Sequence, residues 1–220
     1  MISKLPRWVW FGAWALAFIA GMVNVVGLLG FEHQAITHLT GTTSLFAASV
    51  AAFDAASALH FGLTIASFVG GTILSGFIIQ DSTLQLGRRY GVALLLESLL
   101  LGGAVLLLEH RSDGGIYLAA GACGLQNAMV STYSGAVVRT THVSGMFTDL
   151  GIYLGHVLRG LPVDWLRLQL CSIIISAFFC GGVAGAVSFR FLGSFTLLIP
   201  AALTGLTAIA YGLRPTVSAR

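Results

Sequence analysis

The sequence has little charge. Only 9% of its 220 residues are Asp, Glu, Lys or Arg, against about 25% in a soluble domain. Hydrophobic residues make up 56%, and the mean hydropathy is +0.91. A chain of this kind in water would expose far too much apolar surface, and it is too apolar to be disordered. The net charge of +3 comes from 11 basic residues. They are scattered singly or in one pair, with no basic stripe, so a nucleic-acid partner is excluded. Cysteine is scarce too. Cys123, Cys171 and Cys180 sit apart in apolar stretches, an odd set that excludes a disulfide framework or a zinc site and reads as small apolar filling. There is no Gly-x-Ser-x-Gly elbow, no His-Glu-x-x-His and no nucleotide-binding glycine pattern. The chain is therefore not expected to be an enzyme or to carry a cofactor or metal. What remains is an integral membrane protein, read as one membrane unit over residues 1–220.

Long apolar runs are what the sequence does have. A spanning helix needs about 20 apolar residues, and six stretches qualify: 8–31, 61–80, 90–108, 115–138, 168–189 and 191–212. The first is too long for a signal-peptide core and begins with Trp8, Trp10 and Trp14, an interfacial anchor. Pro200 is expected to kink the last. Two further segments, Thr40 to Phe53 ended by Asp54 and Ser144 to Leu158 ended by Arg159, are helical in composition. At about 1.5 Å per residue they are too short for a full crossing. Basic residues arbitrate between the two resulting topologies. If the short segments re-enter, there are six spans. Lys4, Arg7, Arg88, Arg89, Arg139, Arg159, Arg167, Arg214 and Arg220 then lie inside, and only Arg111 and Arg190 outside. If the short segments cross, there are eight spans and the division is seven against four. The six-span arrangement fits the positive-inside rule better and puts the N-terminus in the cytoplasm.

The two halves resemble each other. Gly21-Met22-Val23-Asn24 matches Gly124-Leu125-Gln126-Asn127, and Thr37-His38-Leu39-Thr40-Gly41 matches Thr141-His142-Val143-Ser144-Gly145. Ala66 to Gly71 matches Ala177 to Gly182, so the offsets are 103, 104 and 111. The order is conserved, and the added length falls at the loop Leu161-Pro162-Val163-Asp164. The expected fold is thus an all-α polytopic bundle of two repeats, 8–108 and 115–212. Each has three spans and one short re-entrant half-helix. Three spans per half is an odd number, so the second repeat is inverted relative to the first; eight spans would make the repeats parallel. Inverted repeats with broken helices are a recurring plan of secondary transporters.

Several of these motifs carry a family resemblance. Gly-x-x-Asn late in the first span, the Thr-Gly after it, Gly124-Leu125-Gln126-Asn127-Ala128, and Thr140-Thr141-His142-Val143-Ser144-Gly145 followed by Thr148-Asp149-Leu150 resemble the YoaK family. This is a group of small bacterial membrane proteins with a domain of unknown function. The resemblance runs from about Gly21 to Pro200. It implies a multi-pass protein of the bacterial inner membrane and brings no reaction with it. The family pattern has Asp where Asn24 stands and Asn where Thr42 stands, so a carboxylate and an amide are missing from this chain.

Polar groups deep in a bilayer are costly and face a bundle interior. Thr40, Gly41, Thr42, Ser144 and Gly145 stand where the half-helices begin. There, unpaired N–H groups and a partial positive charge need partners. Two readings stand side by side: mutual capping with tight packing, or a solute cradle shared by the two helix starts. Asn24 and Asn127 occupy matching positions and serve as interhelical glue or as solute contacts. Gln126 points about 100° away from Asn127 and is not expected to share its site. Glu97 and Asp149 are carboxyl groups within apolar segments and are candidate carriers of a coupling proton. His38 and His142 match across the repeat but make a poor metal pair alone. Small residues four apart, such as Ala17 with Gly21 and Gly181 with Gly185, predict close helix packing compatible with a homodimer. The reading these features support is a small secondary transporter or channel for a small solute, with the bilayer as its other partner. A non-catalytic membrane partner or assembly factor is the alternative. An intramembrane hydrolase using Ser134 or Ser144 is more remote.

Overall fold

The computed structural model describes residues 7–30, 36–37, 39–80, 88–133 and 140–212. Regular structure among them is helical throughout: α1 (Arg7–Leu29), α2 (Leu39–Ala51), α3 (Ala55–Ile79), α4 (Arg88–Glu109), α5 (Gly114–Tyr133), α6 (Val143–Leu158), α7 (Trp165–Leu192), a 3₁₀ turn (Gly193–Leu197) and α8 (Leu198–Gly212). Four segments are apolar and long enough to cross a membrane: Trp10–Leu29, Ala55–Ile79, Arg88–Glu109 and Trp165–Tyr211. The last is 47 residues long, more than twice the length of one crossing. It is interrupted at Gly193, whose φ of 54° starts the 3₁₀ turn. The helix α5 has the length of a span but is not among these four, with Gln126 and Asn127 in its middle.

The boundaries differ from expectation in three places, each for a local reason. Asp54 does not end α2. It caps α3, accepting a bond from the Ser57 N–H at 3.1 Å, so α3 begins six residues earlier than the hydrophobic run. What ends α2 is Phe53, in the left-handed region at φ 57°. Asp164 caps α7 in the same way, accepting from the Arg167 N–H at 3.2 Å. Pro200 does not kink a span. It lies in the first turn of α8, where a missing N–H costs nothing.

Packing is dominated by two close crossings, α1 with α7 and α3 with α5, with α4 against both α5 and α8. Glycine makes the crossings possible. A Cβ at Gly21 would collide with the Phe178 carbonyl, and one at Gly181 with the Phe18 carbonyl. In the other crossing, Gly124 faces the Phe68 carbonyl and Gly71 the Gly121 carbonyl. The two crossings match residue for residue: 18 and 21 plus 103 give 121 and 124, while 178 and 181 minus 110 give 68 and 71. The offset in this third segment is therefore 110, not the 111 expected from the sequence. The same 110 relates the caps Asp54 and Asp164. An offset of 104 relates Ser44 Oγ, which bonds the Thr40 carbonyl, to Thr148 Oγ1, which bonds that of Ser144.

Helix directions follow from the contacts. Phe18 meets Gly181 and Met22 meets Gly185, so α1 and α7 run the same way. His60 meets Tyr117 and Phe68 meets Gly124, so α3 and α5 do too. Gly103 faces Leu118 and Gly115 faces Leu108, which makes α4 and α5 antiparallel. The Ser98 hydroxyl donates to the Ala201 carbonyl at 2.7 Å. One buried cluster holds Tyr90, Ala93 and Leu94 with Ala208, and the other holds Leu101 and Val105 with Leu197. Thus α4 and α8 are antiparallel as well.

Candidate functional site

The short helices sit on the outside of the crossings. Helix α2 packs on α3 and α6 on α7, and among the described residues α2 and α6 do not touch. Ahead of α2, Thr37 reaches Asn24 on α1. Thr37 donates twice to Asn24 Oδ1, from its hydroxyl at 2.7 Å and its N–H at 3.2 Å. Both residues are buried. This pair ties the entry of α2 to α1. The repeated Thr-His-x-[Thr/Ser]-Gly pattern marked Thr37 in the sequence, though not as Asn24's partner.

The helix starts differ from the expected caps. Thr40 and Ser144 each lie one residue inside their helices, because α2 begins at Leu39 and α6 at Val143. Both are exposed and neither caps. The residue before α6 is His142, whose side chain makes no capping bond. Its ring lies over Gly145, where any Cβ would strike it. Gly41, the mate of Gly145, has open space instead. Thr42 is buried. His38 and Ser134 fall outside the described residues.

The second half has its own polar niche. Asn127 on α5 is half-buried and Thr140 fully so. Among the described residues nothing bonds Asn127 Oδ1 or Thr140 Oγ1. Gln126, on a different face as expected, is buried and its Nε2 donates to the Leu16 carbonyl of α1 at 3.0 Å. Its role is to tie α5 to α1.

Of the two carboxyl groups, Glu97 is 1% exposed, and its Oε2 has no partner among the described residues. The hydroxyl of the adjacent Ser98 is engaged with the Ala201 carbonyl. The Cys123 thiol of α5 is within electrostatic reach of Glu97. Asp149 is exposed on α6, within reach of Arg167 on α7. The two therefore occupy unlike settings, one deep between α4 and α5, the other on the flank. A crevice of about 20 Å³ lies between Val26, Gly30, Ile36, Leu108, Ile116 and Phe189, room for about one water.

These features arrange polar groups at helix entries inside an apolar bundle. A sequence model described as "Protein of unknown function (DUF1275)" matches residues 12–210. The chain belongs to that family. It is consistent with the YoaK resemblance that Gly124–Ala128 and Thr140–Gly145 carry in the sequence. No curated protein and no solved structure matches the chain. Membership of DUF1275 thus adds breadth to the helical reading and assigns no substrate.

Proposed function

We propose that this DUF1275 protein is a small secondary transporter or channel of the bacterial inner membrane, built from two inverted repeats and not an enzyme. The observation that carries the reading is the duplicated crossing. The contacts of α1 with α7 recur between α5 and α3 at offsets of 103 and 110. Their symmetry partners α4 and α8 meet antiparallel. An antiparallel meeting of equivalent helices supports inversion. It supports six spans with α2 and α6 re-entrant and the N-terminus cytoplasmic.

In this reading the solute contacts are Asn24, Thr40, Gly41 and Thr42 in one half and Asn127, Ser144 and Gly145 in the other. Because α2 and α6 are apart, they form two niches related by symmetry, not one shared cradle. Asn127 Oδ1 calls for a hydrogen-bond donor, and the first-turn N–H groups of α6 call for an acceptor. The matching solute is small and carries both, as a neutral polar or zwitterionic molecule does. Glu97, in the core, and Asp149, on the flank, are the groups proposed to hold a coupling proton.

Single cysteines at Ser112 and Leu161, in a background lacking the three native ones, test the topology. Six spans place them on opposite faces, Ser112 outside and Leu161 inside. Labelling of both from the same side would establish eight spans and end the inverted-repeat reading. Uptake of glycine or acetamide into proteoliposomes, lost on Gly145→Leu in folded protein, is the expected functional result.

A further inference from the structure

The two halves match in their crossings but not in two other places. Both differences point the same way. In the first half Asn24 Oδ1 is closed off by Thr37, which donates to it twice. In the second, Asn127 Oδ1 and the fully buried Thr140 Oγ1 have no partner among the described residues. The second difference lies along the helices nearest the centre. Helix α4 packs along α5, whereas its counterpart α8 barely touches α1. Glycine mates report it directly. A Cβ at Gly115 on α5 would press on Leu108 Cγ at 2.5 Å and the Ala104 carbonyl at 2.8 Å. Its mate on α1, Gly12, 103 residues earlier, has nothing within 4 Å.

Two symmetry-equivalent edges between the repeats, one shut and the other slack, are how an inverted repeat stores a second conformation. We infer that the protein alternates between two states that exchange these roles. In the state described, the α4/α5 edge is shut and the α1/α8 edge is slack. In the other, α8 closes on α1, α4 parts from α5, the Asn24 niche opens, and Asn127 is capped from the Thr140–Thr141 segment. Each state leaves one niche unpaired, and the two niches belong to oppositely oriented halves. A solute that passes from one niche to the other as the edges exchange is carried from one side to the other. The inference rests on the inverted-repeat reading above and adds the motion that would make it a carrier. A static channel would need no such exchange.

The α4/α8 register follows from Gly91 with Gly193 and Gly103 with Gly205, both 102 apart. The mate of the Leu108/Gly115 contact is therefore Ala210 with Gly12. A disulfide needs its Cβ atoms about 3.8 Å apart. Leu108→Cys with Gly115→Cys meets this requirement as the protein stands, the smaller side chain relieving the contact. Gly12→Cys with Ala210→Cys does not, because no atom of Ala210 lies within 4 Å of a Cβ at Gly12. Both pairs go into the cysteine-free background in lipid, with mild oxidation and mass mapping of the bonds. The expected result is that each pair closes when present alone. A variant with all four cysteines carries one bond or the other in each molecule, never both. Failure of the Gly12/Ala210 pair to close, or both bonds in one molecule, would overturn the exchange. The Ser112 and Leu161 labelling is read on the same preparations. Six spans with no exchange would reject the motion and leave the repeat reading standing, while same-side labelling would reject both.

Discussion

Adjacent glycines on α3 give the sharpest test of the packing argument. Gly71 faces α5, and a Cβ there would lie 2.8 Å from the Gly121 carbonyl carbon and 2.9 Å from Leu125 N, with the carbonyl oxygen nearer still. These atoms are backbone and cannot rotate away. Restoring an ordinary 3.4 Å from the carbon alone parts the helices by about 0.6 Å, and a gap of about 0.5–1 Å already forfeits a quarter to a half of the dispersion energy along an interface. Gly70, one residue before, has nothing within 4 Å. Gly71→Ala is therefore expected to destabilise by about 3 kcal/mol, the upper part of the overpacking range. Gly70→Ala is expected to be neutral or to gain up to about 1 kcal/mol from helix propensity. The contrast repeats on α7. There Gly181 meets Phe18 backbone, while the nearest atom to a Cβ at Gly182 is the Gly21 carbonyl oxygen at 4.0 Å. Unfolding in mixed detergent micelles, followed by circular dichroism against SDS fraction, measures both pairs. Equal midpoints for Gly70→Ala and Gly71→Ala would refute the crossing register and the 110-residue offset with it.

Other expectations concern polar groups. Thr37 directs both of its bonds to Asn24 Oδ1, an acceptor, so Asn24→Asp keeps both and should remain folded. Asn24→Leu strands two donors and should cost about 1–2 kcal/mol in the same micelle assay; no loss for Leu would contradict the assigned bonds. Gln126→Leu removes the tie from α5 to the Leu16 carbonyl and should lower stability by about 1 kcal/mol, with no loss meaning that the tie is idle. At the cap of α3, bonds from the Ser57 side chain and then its backbone hold the exposed Asp54 carboxyl below its ordinary value of 3.8. A depressed value in the folded state means the cap is intact above that pH and is lost as pH falls through the lowered value. Amide exchange at Ser57 should therefore speed up, relative to the intrinsic rate, only below about pH 4. Asp54→Asn should abolish that dependence, since its amide oxygen caps without titrating.

Most of the fold was legible because membrane burial writes itself into composition. Five of the six apolar runs appear as single helices as far as they are described, the sixth is split by a 3₁₀ turn ahead of α8, and the two short segments appear as short helices. Errors fell where one local interaction outweighed the apolar pattern. Asp54 drew α3 back across Ala55–His60, a stretch not uniformly apolar, by offering its N–H groups an acceptor. Gly193, with its left-handed φ, broke the last long run before Pro200 could. The one-residue slip in the third repeat match has a similar cause. Gly70-Gly71 and Gly181-Gly182 align equally well as strings, but only at Gly71 and Gly181 would a Cβ collide with foreign backbone. Identity cannot tell which glycine of a pair faces a neighbour; a crossing can.

The candidate site was less legible, and the reason is symmetry itself. Matching motifs in the two halves give matching expectations, so the sequence could only suggest one cradle made of equal parts. The differences between the halves come from connectivity. Helices α4 and α5 are joined by the short turn at 110–113, with Arg111 at φ 54°, which holds that edge together at one end. Helices α1 and α8 are separated in sequence by the six helices between them and share no such turn. The tether favours the state with the α4/α5 edge shut, so the opposite state is the minor one, and its weight is what a solute must raise by binding it better. The four-cysteine variant should accordingly carry mostly the Leu108/Gly115 bond. A solute preferring the opposite state should move the distribution toward Gly12/Ala210 in proportion to its occupancy. A solute that is transported yet leaves the distribution unchanged would show that the niches are passed without any exchange of edges.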